Sequence, residues 1–77
     1  MKIKIFGKLT DVFECAEYRI YIGAVCTVSI LKSILEEQFN SLKDMTYIVV
    51  VNGMIADNEI EIFENSELAL LPPYSGG

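Results

Sequence analysis

The sequence predicts an α+β domain in which one main helix covers one face of a mixed β-sheet. Three observations support this fold class. The chain has 77 residues, which is enough for one domain. Apolar residues make up 52% of the chain, so it has the side chains for a dense core. Several segments alternate with the period of a strand, while one longer segment steps with the period of a helix.

The first strand is predicted over residues 1–7, where apolar residues at positions 1, 3 and 5 alternate with two lysines. Phe6 then falls on the lysine face and we expect it to be exposed, and Gly7 ends the run. The apolar spacing at 9–13 predicts a short helical turn. Renewed alternation predicts a second strand over 18–22.

The main helix is predicted over residues 28–39, because its apolar residues step at three and four. Thr27 is a suitable N-cap, since its hydroxyl can accept a backbone N–H that the first turn leaves unpaired. Asn40 can adopt the left-handed conformation that often ends a helix. A short loop is predicted over 41–44.

The strand predicted over residues 46–51 is the most buried, because its three consecutive valines leave no polar face. Asn52 and Gly53 follow directly, and an apolar run resumes at 54–55. An Asn-Gly pair between two apolar runs is a strong hairpin signal, since both turn residues need a positive φ.

The segment 56–64 is predicted to be irregular and pinned to the core by apolar side chains, namely Ile60, Ile62 and Phe63. Asn65 supplies the turn into the last strand, predicted over 67–71. Pro72 and Pro73 stop that strand, because neither residue can donate a ladder hydrogen bond.

The predicted order is strand, strand, helix, strand, short strand and final strand, with short connections. The economical arrangement is a β-grasp, the ubiquitin-like roll, in which the first and last strands lie side by side and parallel. We therefore predict a β-grasp domain over residues 1–71 and an extended C-terminal tail over 72–77.

Charge and hydropathy exclude several classes of function. The net charge is −5 and the six lysines and arginines are scattered, so there is no basic patch for nucleic acid. The longest apolar stretches, 47–51 and 68–74, are far shorter than the ~20 residues of a membrane helix. No signal peptide is visible, and we expect a cytoplasmic protein.

The reactive side chains are few. Without histidine, the usual Ser/His and Cys/His nucleophile systems are absent. Cys15 and Cys26 are too few for a zinc site, so no metal is expected. A disulfide between them stays open, but we interpret both as ordinary, partly buried thiols. There is no phosphate-cradling glycine loop, so no bound cofactor is expected either.

The C-terminal segment is the remaining place for chemistry. Pro72 and Pro73 favour an extended exit from the sheet, and Gly76 and Gly77 lack side chains that would block a narrow channel. The α-carboxylate of Gly77 is ionised at neutral pH and is a poor electrophile. Acyl adenylation by ATP would activate it, and a separate enzyme would have to supply the nucleotide site. The alternative is a frayed end without function.

The closing octet 70–77, in which two leucines precede Pro-Pro, a variable pair and Gly-Gly, resembles the end of the molybdopterin synthase small-subunit family. The segment 62–69 is similar to the acidic turn and apolar strand of that family. Asn65 stands where glycine is usual, and asparagine is the next best residue at positive φ. The hairpin at 51–53 and the residues 27–28 before the helix resemble the family too, so the resemblance spans nearly the whole chain.

The resemblance implies a non-catalytic sulfur carrier. An E1-like enzyme would adenylate Gly77 with ATP, and a sulfur source would convert it to a thiocarboxylate. The tail would enter the large synthase subunit and donate sulfur to the pterin precursor, forming the dithiolene that binds molybdenum or tungsten. Two carriers would serve one large-subunit dimer, as a heterotetramer. Gly76 would give access, while Ser75, Tyr74 and the two prolines would position the reacting end.

A partner surface follows from strand alternation. If Leu68 and Leu70 face the helix, then Ala69 and Leu71 face outward together with Phe6. These three residues would form an exposed apolar patch beside the tail, and such patches usually mark binding sites. In the alternative, Phe6 and Leu71 pack under the loop at 56–64.

Two further functions share this sequence pattern. A sulfur carrier for thiamine or tRNA thiolation, or a ubiquitin-like protein modifier, would have the same fold and the same Gly-Gly end. Pro72-Pro73 favours the molybdopterin role, because thiamine-type carriers usually lack that pair. The last alternative is a β-grasp interaction module that does not use its tail.

Overall fold

The protein is described by a computed structural model over residues 1–23 and 25–73, with Val25 described by its backbone alone. The elements in chain order are β1 (Lys2–Ile5), α1 (Leu9–Phe13), β2 (Glu17–Arg19), β3 (Val25–Thr27), α2 (Val28–Gln38), a 3₁₀ helix (Asn40–Asp44), β4 (Ile48–Val51), β5 (Met54–Ala56), β6 (Glu61–Phe63) and β7 (Leu68–Leu71). Among these helices, none has the length and apolar character needed to cross a lipid bilayer.

Five strands form the main sheet, in the order β2-β1-β7-β4-β5. β1 and β7 are parallel, with Ile5 opposite Leu70, and the other neighbouring pairs are antiparallel. β3 and β6 pair separately as a two-stranded sheet. The first and last strands therefore lie side by side and parallel, and the predicted β-grasp is confirmed.

The core lies between α2 and one face of the main sheet. Its buried apolar members are Ile3, Ile5, Leu9, Phe13, Cys26, Val28, Leu31, Leu35, Leu42, Val49, Val51, Ile62, Leu68 and Leu70. On β1 and β7 these residues alternate with more exposed ones, as the period of a strand requires. One face of the sheet is thus closed by the helix, while the other is left without a covering layer in the described residues.

The main helix begins where the sequence predicts. The Thr27 hydroxyl accepts a hydrogen bond from the Ile30 backbone N–H at 3.3 Å, which confirms the N-cap. The end of the helix differs from the prediction. Asn40 is not left-handed but starts the 3₁₀ helix, and the predicted loop at 41–44 belongs to that helix. Leu42 explains the extra turn, because its side chain is fully buried there.

Two predictions about the edges of the fold were wrong. The second strand covers Glu17–Arg19 rather than 18–22. The segment 56–64 is not wholly irregular, because β6 lies within it and pairs with β3, placing Cys26 opposite Ile62. β3 and β6 have three residues each, and strands this short show no periodicity that would predict them from the sequence.

Only one of the three side chains predicted to pin this segment is buried. Ile62 is fully buried, whereas Ile60 is 42% exposed and Phe63 is 49% exposed. The other two side chains therefore remain nearly half exposed. The backbone of the segment is held instead by the start of α2, since the N–H of Val28 donates to the carbonyl of Ile60 at 2.9 Å.

The Asn-Gly hairpin is confirmed, since Asn52 and Gly53 have φ values of 50° and 82°. Asn52 also holds the start of the last strand, because its backbone N–H donates to the carbonyl of Glu67 and its side-chain oxygen accepts from the N–H of Glu67, both at 2.8 Å. Asn65 does not have the expected positive φ. Ser66 closes that turn instead, where its hydroxyl accepts from the N–H of Phe63 at 2.9 Å.

Candidate functional site at the outer sheet face and the tail exit

The face of the sheet that points away from α2 carries the predicted partner residues. Ala69 and Leu71 alternate with the buried leucines of β7 and are half-buried on this outer face. The N–H of Phe6 donates to the carbonyl of Leu70 at 3.1 Å, so the pairing of β1 with β7 continues for one residue and brings Phe6 beside Leu71. Phe6 is 45% exposed, as predicted.

Strands β4 and β5 extend this surface. Ile48 lies opposite Leu71, and Val50 lies opposite both Ala69 and Ile55, so all of these side chains share one face. We call this surface the outer patch; it comprises Phe6, Ile48, Val50, Ile55, Ala69 and Leu71. Ile55 is 76% exposed. The place of β4 in this surface could have been inferred from the sequence, because a strand that is apolar on both faces needs a covering layer on each.

The alternative in which the loop at 56–64 covers Phe6 and Leu71 is wrong. Its middle lies on the helix side, where the carbonyl of Asn58 accepts from the N–H of Ser29 at 3.1 Å and β6 pairs with β3. Glu64, at its end, lines the groove beside Phe6 but leaves that ring 45% exposed. The position of the segment leaves the outer patch open to a partner.

Basic side chains flank the outer patch within an otherwise acidic protein. Lys2 and Lys4 lie on the same outer face of β1. The Lys2 ammonium lies 4.0 Å from a carboxylate oxygen of Glu17, in a pair whose side chains are about half exposed, so water weakens their attraction. A groove passes along these residues, and its lining includes Lys2, Lys4, Phe6, Val50, Glu67 and Ala69. The apolar surface thus has a polar margin.

The exit of the tail adjoins the outer patch. β7 ends at Leu71, which confirms the stop predicted from the two prolines. Pro72 is half-buried and Pro73 is exposed. Pro72 lies against Gly7, whose φ of +59° is left-handed. The sequence had indicated Gly7 only as the end of a strand, and no local signal identifies its contact with Pro72. The predicted site residues Tyr74, Ser75, Gly76 and Gly77 lie outside the described residues.

The described residues offer little reactive chemistry of their own. Cys15 and Cys26 are free thiols, so the disulfide left open by the sequence is not formed. Burial raises the pKa of the Cys26 thiol, which disfavours the reactive thiolate. The Tyr47 hydroxyl donates to a Glu36 carboxylate oxygen at 2.6 Å, and burial together with that carboxylate raises the pKa of Tyr47. Within residues 1–23 and 25–73, no cluster of three potential metal ligands occurs.

The parallel first and last strands of the sheet, covered on one face by a single main helix, define the ubiquitin-like fold. The sequence model of the ThiS family matches residues 3–77, and the chain belongs to this family. The resemblance to ubiquitin-like sulfur carriers is thereby confirmed at the level of the class.

Solved structures with the same fold come from archaea and bacteria. SAMP1 from Haloferax volcanii is 26% identical, with 99% of this chain and 97% of that chain covered and a TM-score of 0.79. A candidate molybdopterin converting factor subunit 1 from Pyrococcus furiosus is 17% identical, with 95% of each chain covered and a TM-score of 0.86. A complex of subunits 1 and 2 of molybdopterin-converting factor from Helicobacter pylori gives 23% identity, coverage of 99% and 96%, and a TM-score of 0.68.

Proposed function

We propose that this protein is the small, sulfur-carrying subunit of a molybdopterin synthase. The observation that carries the proposal is the position of the outer patch. It is an apolar surface that the described residues leave uncovered, and it adjoins the point where Pro72 and Pro73 lead the chain out of the sheet. A partner that binds the patch therefore receives the tail at a defined place.

The proposed reaction takes place at Gly77. An E1-like enzyme uses ATP to convert the α-carboxylate into an acyl adenylate, with loss of pyrophosphate. A sulfur donor then replaces AMP, so that the chain ends in a thiocarboxylate. Gly76 and Gly77 have no side chains, which suits passage through a narrow channel. The thiocarboxylate sulfur finally bonds to the pterin precursor, and water hydrolyses the acyl carbon–sulfur bond, so that the sulfur stays on the pterin and the carrier regains its carboxylate.

The proposed partner is the large synthase subunit. Six residues from 72 to 77 reach at most ~20 Å when extended, which is enough to enter a deep cleft while the patch remains docked. The complex of subunits 1 and 2 from Helicobacter pylori shares the fold of this chain and supports a two-subunit arrangement. We propose two carriers on one large-subunit dimer, in the cytoplasm.

The proposal is tested by intact-mass measurement after incubation with the native activating enzyme, ATP and a sulfur donor. The expected product is heavier by the replacement of one oxygen with sulfur, and it converts the pterin precursor when the large subunit is added. Deleting Gly77 should abolish both results without changing the unfolding midpoint. An unchanged mass in the complete reaction would overturn the proposal.

The second candidate is a protein modifier, favoured by the similarity to SAMP1 at 26% identity and a TM-score of 0.79. A modifier would form an isopeptide bond between Gly77 and lysine side chains of other proteins. Mass spectrometry of tryptic peptides from the native cells distinguishes the two roles. Lysines carrying remnants of this tail identify a modifier, whereas a thiocarboxylate that converts the pterin precursor identifies the synthase subunit. Sulfur passed only to thiamine or tRNA precursors would instead identify a carrier of that pathway.

A further inference from the structure

We propose that Gly7 is a positioning residue for sulfur transfer, because its missing side chain leaves the space in which the Pro72 ring sits. The Gly7–Pro72 contact then sets the direction in which the tail leaves the sheet. This inference rests on the proposed function, since it concerns delivery of Gly77 to the large subunit.

Gly7 has a fixed backbone. Its carbonyl accepts two hydrogen bonds from Thr10, from the backbone N–H at 3.1 Å and from the side-chain hydroxyl at 2.8 Å. The neighbouring Phe6 is tied to β7, and Leu9 is buried in the core. Both sides of the glycine are thus anchored, so it cannot readily move away from whatever packs against it.

The contact with Pro72 is too close for any side chain at position 7. A Cβ built on Gly7 would lie 2.7 Å from Cγ and 3.2 Å from Cδ of Pro72. Carbon atoms pack best at about 3.5 to 4.0 Å, so the ring would have to move by roughly 1 Å. Because Pro72 is the first residue beyond β7, that movement changes the direction in which the chain leaves the sheet. A misplacement of about 1 Å in a reacting group can lower a rate by as much as ~100-fold.

The first variant is Gly7→Ala, and its matched control is Gly23→Ala. Gly23 has a φ of +78°, so alanine suffers similar left-handed strain there, but no described atom lies within 4 Å of the added Cβ. Each protein is prepared with a thiocarboxylate at Gly77 by chemical thiolysis of an intein fusion, which makes the assay independent of the activating enzyme. Single-turnover sulfur transfer and the Kd for the large subunit are then measured.

We expect Gly7→Ala to lower the transfer rate at saturation on the order of tenfold relative to Gly23→Ala, since the tail is misdirected. The Kd should stay within about twofold of the wild type, because the outer patch remains in place. Equal transfer rates for the two variants, or a loss confined to Kd, would overturn the inference. Failure of the wild-type thiocarboxylate to transfer sulfur would instead count against the proposed function.

A double variant separates the steric contact from backbone strain. Pro72→Ala removes Cγ and Cδ but keeps Cβ, which lies 4.0 Å from the added methyl group and causes no clash. Gly7→Ala should therefore cost much less in the Pro72→Ala background than in the wild type. An unchanged cost would overturn the inference. If Gly7→Ala does not fold, nuclear Overhauser contacts between the Gly7 α-protons and the Pro72 ring in the wild type test the contact, and their absence overturns it.

Discussion

The two faces of the five-stranded sheet are built from the same strands but differ in burial. On the inner face, Ile5 and Leu70 are 3% and 0% exposed beneath α2. On the outer face, the adjacent residues Phe6 and Leu71 are also apolar, yet they remain exposed or half-buried. A strand that is apolar on both sides is typical of a sheet covered on both sides. The difference teaches that residues 1–23 and 25–73 leave one face of the sheet without a covering layer, which a binding partner can supply.

The largest expected effect tests the inner face. Leu70→Ala should lower the free energy of unfolding by about 2 to 5 kcal/mol, because it leaves a cavity under α2. The matched control is Leu71→Ala, the same change one residue later on the outer face, with an expected loss of roughly 1 kcal/mol. Urea unfolding measures both. Equal losses would contradict the assignment of one face to the core and the other to a partner.

The next effect tests the part of the outer patch that lies beside the tail exit. Phe6→Asp should weaken binding to the large subunit by about 2 kcal/mol, or ~30-fold in Kd, because it places a charge in the apolar contact. The free energy of unfolding should fall by only about 1 kcal/mol or less, since Phe6 is 45% exposed. Calorimetric titration gives the Kd, and an unchanged value would remove Phe6 from the interface.

A smaller effect locates the edge of the patch. Ile55→Asp should weaken binding by about 1 kcal/mol, because residues at the rim of an interface contribute less than those at its centre. Met54→Asp is the control on the same strand, since Met54 is 73% exposed but lies opposite the inward-facing Val51. If both variants bind like the wild type, the interface ends before β5.

The smallest effect concerns the lysines in the polar margin of the outer patch. Lys4→Gln should slow association with the large subunit at low salt and change the Kd by less than about 1 kcal/mol, because exposed charges act mainly on the rate of encounter. The difference should vanish at high salt. Lys43→Gln, in the 3₁₀ helix, serves as the control. Stopped-flow measurements at two ionic strengths check this, and identical rates for the two variants would exclude a role for the margin.

The sequence alone predicts those features of the fold that depend on residues close together in the chain. The N-cap at Thr27, the Asn52-Gly53 hairpin and the alternation that exposes Phe6 all follow from neighbouring residues, and all are confirmed. The pairing of β3 with β6 could not be predicted in this way, because its three-residue strands show no period and come from distant parts of the chain.

The candidate site shows the same limit. Its predicted members Phe6, Ala69 and Leu71 were found by alternation along one strand at a time. Ile48 and Ile55 were missed, because their place beside those residues depends on the register between strands. The contact of Gly7 with Pro72 depends on the parallel pairing of the first and last strands, which no local pattern encodes.

The central position of β7 has a mechanical consequence. β7 lies between β1 and β4, so ladders of hydrogen bonds hold it on both sides. A pull on the chain beyond Leu71, along the strand, loads both ladders in shear, so that many bonds must break together. An edge strand would instead peel away one bond at a time. Under the proposed function, the domain would therefore withstand withdrawal of its tail from a partner's cleft without unravelling from that end.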